Sequence, residues 1–179
     1  MKGVIFVEFL EMVEQMLGIE ATEEIIENSQ LPSGGAYTTV GTYDDSEMIS
    51  LVTELHLKTN IPVPTLLKEF GKYLFSSFVI RYRNMMHHLT DSFSLLRRID
   101  DYIHVEVQKI YPEAVLPVFQ TEDISDNEMK LIYNSTRKMP DLAEGLIEAT
   151  MIHFNENFTI KRTSLLDDNS QVEFLISRQ

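Results

Sequence analysis

The first half of the chain places apolar residues with the period of an α-helix. Apolar positions recur at helical spacing from Ile5 to Met16, and Gly18 follows them as a stop. A segment rich in Gly, Ser and Thr, residues 31–47, is typical of a loop or an irregular strand. The same criteria predict further helices over residues 22–30, 46–59, 64–83 and 91–112.

The second half changes to the alternation that strands require. Residues 116–123 and 128–136 predict two strands separated by turn residues. A helix begins at Pro140, and a hairpin over 158–166 and 171–177 closes the chain. The order predicts an α+β domain: N-terminal helices, then a four-stranded antiparallel sheet with an inserted helix. With no repeat or linker, we expect a single domain over residues 1–179.

Charge and composition exclude several classes of partner. The chain carries 28 acidic and 15 basic residues, a formal charge of −13, which argues against nucleic acid and anionic membranes. It has no cysteine, so disulfides, thiolate metal sites and cysteine nucleophiles are excluded. No stretch approaches the ~20 apolar residues of a membrane span, and Glu8 and Glu11 interrupt the N-terminal apolar run. We therefore expect a soluble cytoplasmic protein.

One short stretch, "YNSTR", places three hydrogen-bond donors at alternate positions. In a strand, Tyr133, Ser135 and Arg137 would project to the same side. The guanidinium fork matches carboxylate or phosphate oxygens, so the set predicts an anion site. The pattern alone is weak, because average residue usage would produce it in on the order of one chain in fifty.

Among the histidines, His104 has the most suggestive surroundings. It borders an apolar stripe that runs from Leu96 to Ile110 on its predicted helix. From spacing alone, a satisfied histidine at the edge of the core remains the more common case. An imidazole combined with donors for carboxylates nevertheless suits an iron porphyrin, which needs an axial nitrogen and partners for two propionates. The other histidines fit ordinary solvated or edge-of-core roles: His56, His87, His88 and His153.

Five pieces of the sequence together resemble the bacterial haem-nitric oxide/oxygen binding (H-NOX) family, which is related to the haem domain of soluble guanylate cyclase. In order, they are "MKG", "DDYIHVEVQKIYP", Pro117, "YNSTR" and "GLIEA". The resemblance implies haem b (iron protoporphyrin IX) between the helices and the sheet, with His104 as the proximal iron ligand. It makes Tyr133, Ser135 and Arg137 the propionate clamp, and Pro117 the residue that distorts the porphyrin. It places these apolar residues on the distal side: Ile5, Phe9, Leu74, Phe78, Leu142 and Leu146.

Two departures from the family pattern shape the expectations. Many relatives hold zinc with cysteines in the last third, whereas this chain has none, so we expect no zinc and a C-terminal region held by packing alone. Oxygen-binding members place a distal tyrosine where this chain has Leu142. A buried hydroxyl donor stabilises bound dioxygen by roughly 1–3 kcal/mol, so its loss weakens oxygen binding by roughly one to two decades.

These observations predict a nitric oxide sensor and not an enzyme. By resemblance, release of His104 from the iron signals to a separate protein, a histidine kinase or less often a cyclic-di-GMP enzyme. Three alternatives remain. An oxygen sensor would need a donor such as Tyr73 or Tyr82, and a haem peroxidase would need a distal acid–base pair that the pocket positions do not offer. A non-haem α+β module would bind an organic anion through Arg137.

Overall fold

The computed structural model describes residues 1–86 and 88–179, without the side chain of Met85. His87 lies outside the described residues, so the expectation for it has no structural counterpart. The helices precede and interrupt the sheet in this order: α1 (Gly3–Leu17), α2 (Ile19–Asn28), α3 (Asp45–Thr59), α4 (Val63–Arg81), α5 (Arg83–Met86), α6 (Ser92–Arg97), a π turn (Ile99–Ile103), α7 (His104–Ile110) and α8 (Pro140–His153).

Four antiparallel strands form one sheet. They are β1 (Val118–Ser125), β2 (Glu128–Asn134), β3 (Phe158–Ser164) and β4 (Gln171–Arg178), in the order β1-β2-β4-β3. The inward residues of β2 pair with the inward residues of β4, as Leu131 does with Phe174, and both side chains are buried. This alternation is the period-2 pattern of a sheet with one covered face. The predicted α+β architecture with its inserted helix is confirmed.

Two apolar cores lie on either side of α8. The helical core is built from α1, α3 and α4 around residues such as Phe6, Leu51 and Phe70. The second core packs α6 and α8 on the sheet around Phe93 and Phe174. Because α8 contributes to both cores, its position fixes the space between the helical part and the sheet.

Helices α4 and α8 cross at two glycines. A Cβ atom added to Gly145 would lie 2.0 Å from the backbone oxygen of Lys68, and one added to Gly71 would lie 2.3 Å from that of Leu142. Real Cβ atoms do not approach backbone oxygens so closely, because van der Waals radii forbid it. The helices therefore meet backbone to backbone at this crossing.

The predicted single helix over residues 91–112 is wrong. The chain forms α6, then a π turn, then α7, because the N–H of Ile103 donates to the carbonyl of Arg98 at 2.9 Å, five residues back. Asp91 caps α6 by accepting from the N–H of Ser94 at 2.9 Å. Such a π segment re-aims the side chains that follow it, here beginning with His104.

The C-terminal region is held by ion pairs as well as by packing, which corrects the expectation of packing alone. Arg178 on β4 pairs with Asp91 at 3.1 Å and Glu156 at 3.3 Å, and its guanidinium lies 4.3 Å from the centre of the Phe93 ring. Arg162 on β3 pairs with Asp141 of α8 at 2.5 Å. These charges join the end of the hairpin to α6 and α8.

Candidate functional site

An apolar cavity of about 270 Å³ lies between the helical part and the sheet. Its lining residues come mainly from α1, α4, α6 and α8, and from the π turn, α7, the segment before β1 and the end of β2. Ten of the predicted site residues line it: Ile5, Leu74, Phe78, His104, Pro117, Tyr133, Ser135, Arg137, Leu142 and Leu146.

Phe9 is the one predicted pocket residue that does not line the cavity. Its side chain is fully buried and meets the Phe70 ring edge to face at 5.1 Å in the helical core. Four residues of α-helix turn the chain by about 400°, so Phe9 faces roughly 40° away from Ile5. That rotation moves the ring from the cavity wall into the layer behind it.

His104 stands at the first position of α7, with its ring against the cavity. Its Nδ1 lies 2.8 Å from Oδ1 of Asp100, and its ring centre lies 5.9 Å from that of Phe119. Burial lowers the pKa of His104, although the Asp100 carboxylate opposes the shift. A neutral imidazole whose Nδ1 faces a carboxylate carries its proton there, so Nε2 keeps the lone pair that a metal requires.

The three predicted anion-binding residues come together, although not by strand alternation. Strand β2 ends at Asn134, so only Tyr133 lies on it, and the chain then turns through Lys138, whose φ is 55°. Inside the turn, the N–H of Arg137 donates to Oγ of Ser135 at 3.2 Å. The hydroxyl oxygen of Tyr133 accepts the N–H of Met139 at 3.1 Å, which leaves its O–H as a donor.

Asp45 positions the Arg137 guanidinium. The Nε of Arg137 lies 3.1 Å from both carboxylate oxygens of Asp45, and its Nη1 donates to the carbonyl of Val115 at 2.7 Å. The same carboxylate lies 2.8 Å from the N-terminal ammonium of Met1. Sequence reasoning missed Asp45, because no local pattern joins residues that are 92 positions apart.

The donor set and the walls fit a haem. The His104 imidazole lines a largely apolar cavity, and the hydroxyls of Tyr133 and Ser135 and the Arg137 guanidinium suit the two carboxylates of a porphyrin. The cavity therefore suits a large apolar group with an acidic edge.

Two tyrosines add polar groups to the cavity wall. Tyr82, at the end of α4, and Tyr111, after α7, both line the cavity. Burial, with a smaller contribution from Tyr111, raises the pKa of Tyr82 to about 12, so its hydroxyl stays protonated near neutral pH. Tyr73 lies outside the cavity, where its hydroxyl accepts from Gln15 Nε2 at 2.9 Å.

The remaining histidines in the described part of the chain lie away from the cavity. The Nδ1 of His56 lies 2.8 Å from the carbonyl oxygen of Ile61, which ties the end of α3 to the next segment. His153 packs edge to face on Phe75 at 5.6 Å, and His88 is exposed. Within residues 1–86 and 88–179, no three histidine or acidic side chains cluster to hold a metal ion, and no helix is long and apolar enough to cross a membrane.

A family model and several solved structures of one family match this chain. The family model described as "Haem-NO-binding" matches residues 2–162. The Fe(II) unliganded H-NOX protein from K. algicida is 38% identical, with a TM-score of 0.94 over 100% of this chain and 97% of that one. An H-NOX protein from S. oneidensis in the Fe(II)NO state is 29% identical, with a TM-score of 0.92 over 100% and 99%.

A third solved structure is more similar in sequence. The IWP-051-bound H-NOX from Shewanella woodyi in the Fe(II)CO state is 39% identical, with a TM-score of 0.85 over 100% of this chain and 95% of that one. No curated protein matched the chain.

Proposed function

Because the chain belongs to the haem-NO-binding (H-NOX) family, whose members are haem-based gas sensors and not enzymes, we propose that it senses nitric oxide. The observation that carries this proposal is the placement of His104. Its imidazole lines the same cavity as the mainly apolar side chains that α4 and α8 contribute. The relative from S. oneidensis, solved in the Fe(II)NO state, supports the same ligand.

Each group on the chain then has a distinct task. When bound, haem b supplies a ferrous iron that takes up a diatomic gas. His104 would hold the iron through Nε2, while Tyr133, Ser135 and Arg137 would receive the two carboxylates. Pro117 lines the cavity directly before β1, where its rigid ring would press on the porphyrin.

The apolar distal wall is the basis of the proposed gas selectivity. Leu74, Phe78, Leu142 and Leu146 offer no hydrogen-bond donor from their side chains. Dioxygen needs such a donor for strong binding, whereas nitric oxide does not. The wall therefore favours nitric oxide.

We propose that release of His104 is the signal. His104 begins α7, a helix of only seven residues that follows the π turn directly. Its displacement would repack α7 against β1 as a two-state change. We expect the receiver to be a cytoplasmic histidine kinase, or less often a cyclic-di-GMP enzyme, with a basic docking face that suits a charge of −13.

Oxygen sensing is the second candidate, and Tyr82 is the observation that favours it. Tyr82 lines the cavity and its hydroxyl stays protonated, so it is the candidate donor to bound dioxygen. The Tyr82→Phe variant keeps the ring and removes the O–H. If the protein bound oxygen through this donor, the variant would lose oxygen affinity by roughly one to two decades.

The absorption spectrum of the reduced protein tests the two candidates. We expect nitric oxide to shift the Soret band and air to leave no stable oxygen-bound form, because the distal leucines donate no hydrogen bond. A stable oxygen spectrum that disappears in Tyr82→Phe would reject the nitric oxide assignment in favour of oxygen.

A new distal donor should create oxygen affinity. In Leu142→Tyr, the new hydroxyl would be carried by a residue that lines the cavity. A single buried hydrogen bond of roughly 1–3 kcal/mol should raise oxygen affinity by about 5- to 150-fold, measured by oxygen titration of the ferrous protein. Leu142→Phe, which adds the ring alone, is the matched control. Equal oxygen affinity in the two variants would contradict the assignment of this wall.

A further inference from the structure

Asp100 bridges the imidazole of His104 to the first strand of the sheet. Its Oδ1 lies 2.8 Å from His104 Nδ1, and its Oδ2 accepts the backbone N–H of Phe119 at 2.8 Å. Oδ1 is buried and, among the described residues, forms no well-aligned hydrogen bond, so its polar neighbour is His104 Nδ1 at 2.8 Å. The carboxylate therefore has one oxygen for the imidazole and one for β1.

The course of the backbone places Asp100, and not its neighbour Asp101, beside His104. Residues four apart lie on the same side of a helical segment, so Asp100 faces His104. Asp101 is exposed to solvent. The π turn that contains both acids ends at Ile103, directly before the imidazole, and such segments recur at functional sites.

Asp100 supplies a carboxylate beside a ring that stands among apolar groups. The ring of Phe119 lies 5.9 Å away between centres, and Ile103 and Pro117 line the same cavity as His104. A carboxylate that accepts the N–H of a ligating histidine fixes its tautomer and raises its basicity as a ligand. Both effects strengthen the bond that the other ring nitrogen makes to a metal.

We propose that Asp100 is the positioning residue of His104 and that it sets the strength of the bond between the imidazole and the iron. It thereby sets how readily nitric oxide causes His104 to leave the iron. The inference rests on the proposed role of His104 as the iron ligand. Because Asp100 also binds the N–H of Phe119, it stays attached to β1 when His104 moves. The released imidazole thus keeps a hydrogen-bond acceptor in an apolar cavity.

Resonance Raman spectroscopy of the ferrous holoprotein tests the proposal. Asp100→Asn removes the charge and keeps an amide oxygen that can accept the N–H of Phe119. We expect a lower iron–histidine stretching frequency, a higher ferric/ferrous midpoint potential and faster release of His104 on addition of nitric oxide. Glu106→Gln is the matched control, because Glu106 lies on α7 with His104 and pairs with Lys109 at 2.5 Å.

Exogenous ligands give an independent readout. In His104→Gly, free imidazole can bind the iron and donate its N–H to Asp100, whereas 1-methylimidazole has no N–H to donate. Compared with His104→Gly alone, the double variant His104→Gly/Asp100→Asn should bind imidazole roughly 10- to 100-fold more weakly. Its affinity for 1-methylimidazole should be unchanged.

The outcomes separate this inference from the proposed function. An iron–histidine frequency in Asp100→Asn equal to that of the native protein, or an equal shift in Glu106→Gln, would overturn the role of Asp100. Equal weakening of imidazole and 1-methylimidazole would do the same. A native protein without any iron–histidine mode would instead overturn the role of His104 itself.

Discussion

His104→Gly is expected to abolish stable haem binding, and free imidazole is expected to restore it. The variant removes the His104 imidazole from the cavity wall and leaves the apolar lining and Arg137 in place. Even second-sphere partners of metal ligands account for 10- to 100-fold in affinity, so loss of the ligand should weaken haem binding by roughly 100-fold or more. The measurement is the Soret absorbance per protein after gel filtration, with and without imidazole.

His56→Ala and His153→Ala serve as controls for this loss. Neither side chain lines the cavity, since His56 faces the Ile61 carbonyl and His153 packs on Phe75. Both variants should keep the ferrous spectrum. Full haem retention by His104→Gly without imidazole would show that another group holds the iron.

Gly145→Ala is expected to destabilise the protein and to open the distal wall. The new Cβ would lie 2.0 Å from the backbone oxygen of Lys68, so α4 and α8 must separate. Overpacking costs about 1–3 kcal/mol or more, and the better helix propensity of alanine returns about 1 kcal/mol. A net loss of about 1–2 kcal/mol corresponds to a Tm lower by roughly 2–8 °C for a chain of this size.

The same shift should reach the cavity, because α8 carries Leu142 and Leu146 and α4 carries Leu74. We expect a changed Soret maximum together with the lower Tm, measured by thermal unfolding of the haem-bound protein. Ile152→Ala on the same helix is the control: its side chain is 60% exposed, so its effect should stay within about 0.5 kcal/mol. An unchanged Tm in Gly145→Ala would contradict the backbone contact between the helices.

The family resemblance predicted much of the candidate site, because the matching motifs occur in the same order along the chain. His104, Pro117 and Arg137 all line the cavity, as the resemblance implied. Their roles as iron ligand, distorting residue and carboxylate partner remain predictions. The spacing of four residues suggests that an acid before His104 could contact it. The sequence alone does not show whether that acid is Asp100 or Asp101.

Other details of the site depend on packing between distant segments. The strand model placed Ser135 and Arg137 by alternation, yet β2 ends at Asn134 and a turn brings them together. The resemblance placed Phe9 with Ile5 on the distal side, yet its ring packs on Phe70. Such choices depend on which partner each side chain meets, and local periodicity does not contain that information.

What the sequence determined by itself was the set of amphipathic elements and their order. Apolar spacing is a local property, so α1, α4 and the closing hairpin follow from neighbouring residues alone. Only the tertiary structure decided that α4 and α8 meet at Gly71 and Gly145, that Asp45 holds Arg137 and that Asp100 faces His104. The first two contacts join elements far apart in the chain. The third depends on a π turn, and the pattern of side chains does not predict the backbone hydrogen bonds of that turn.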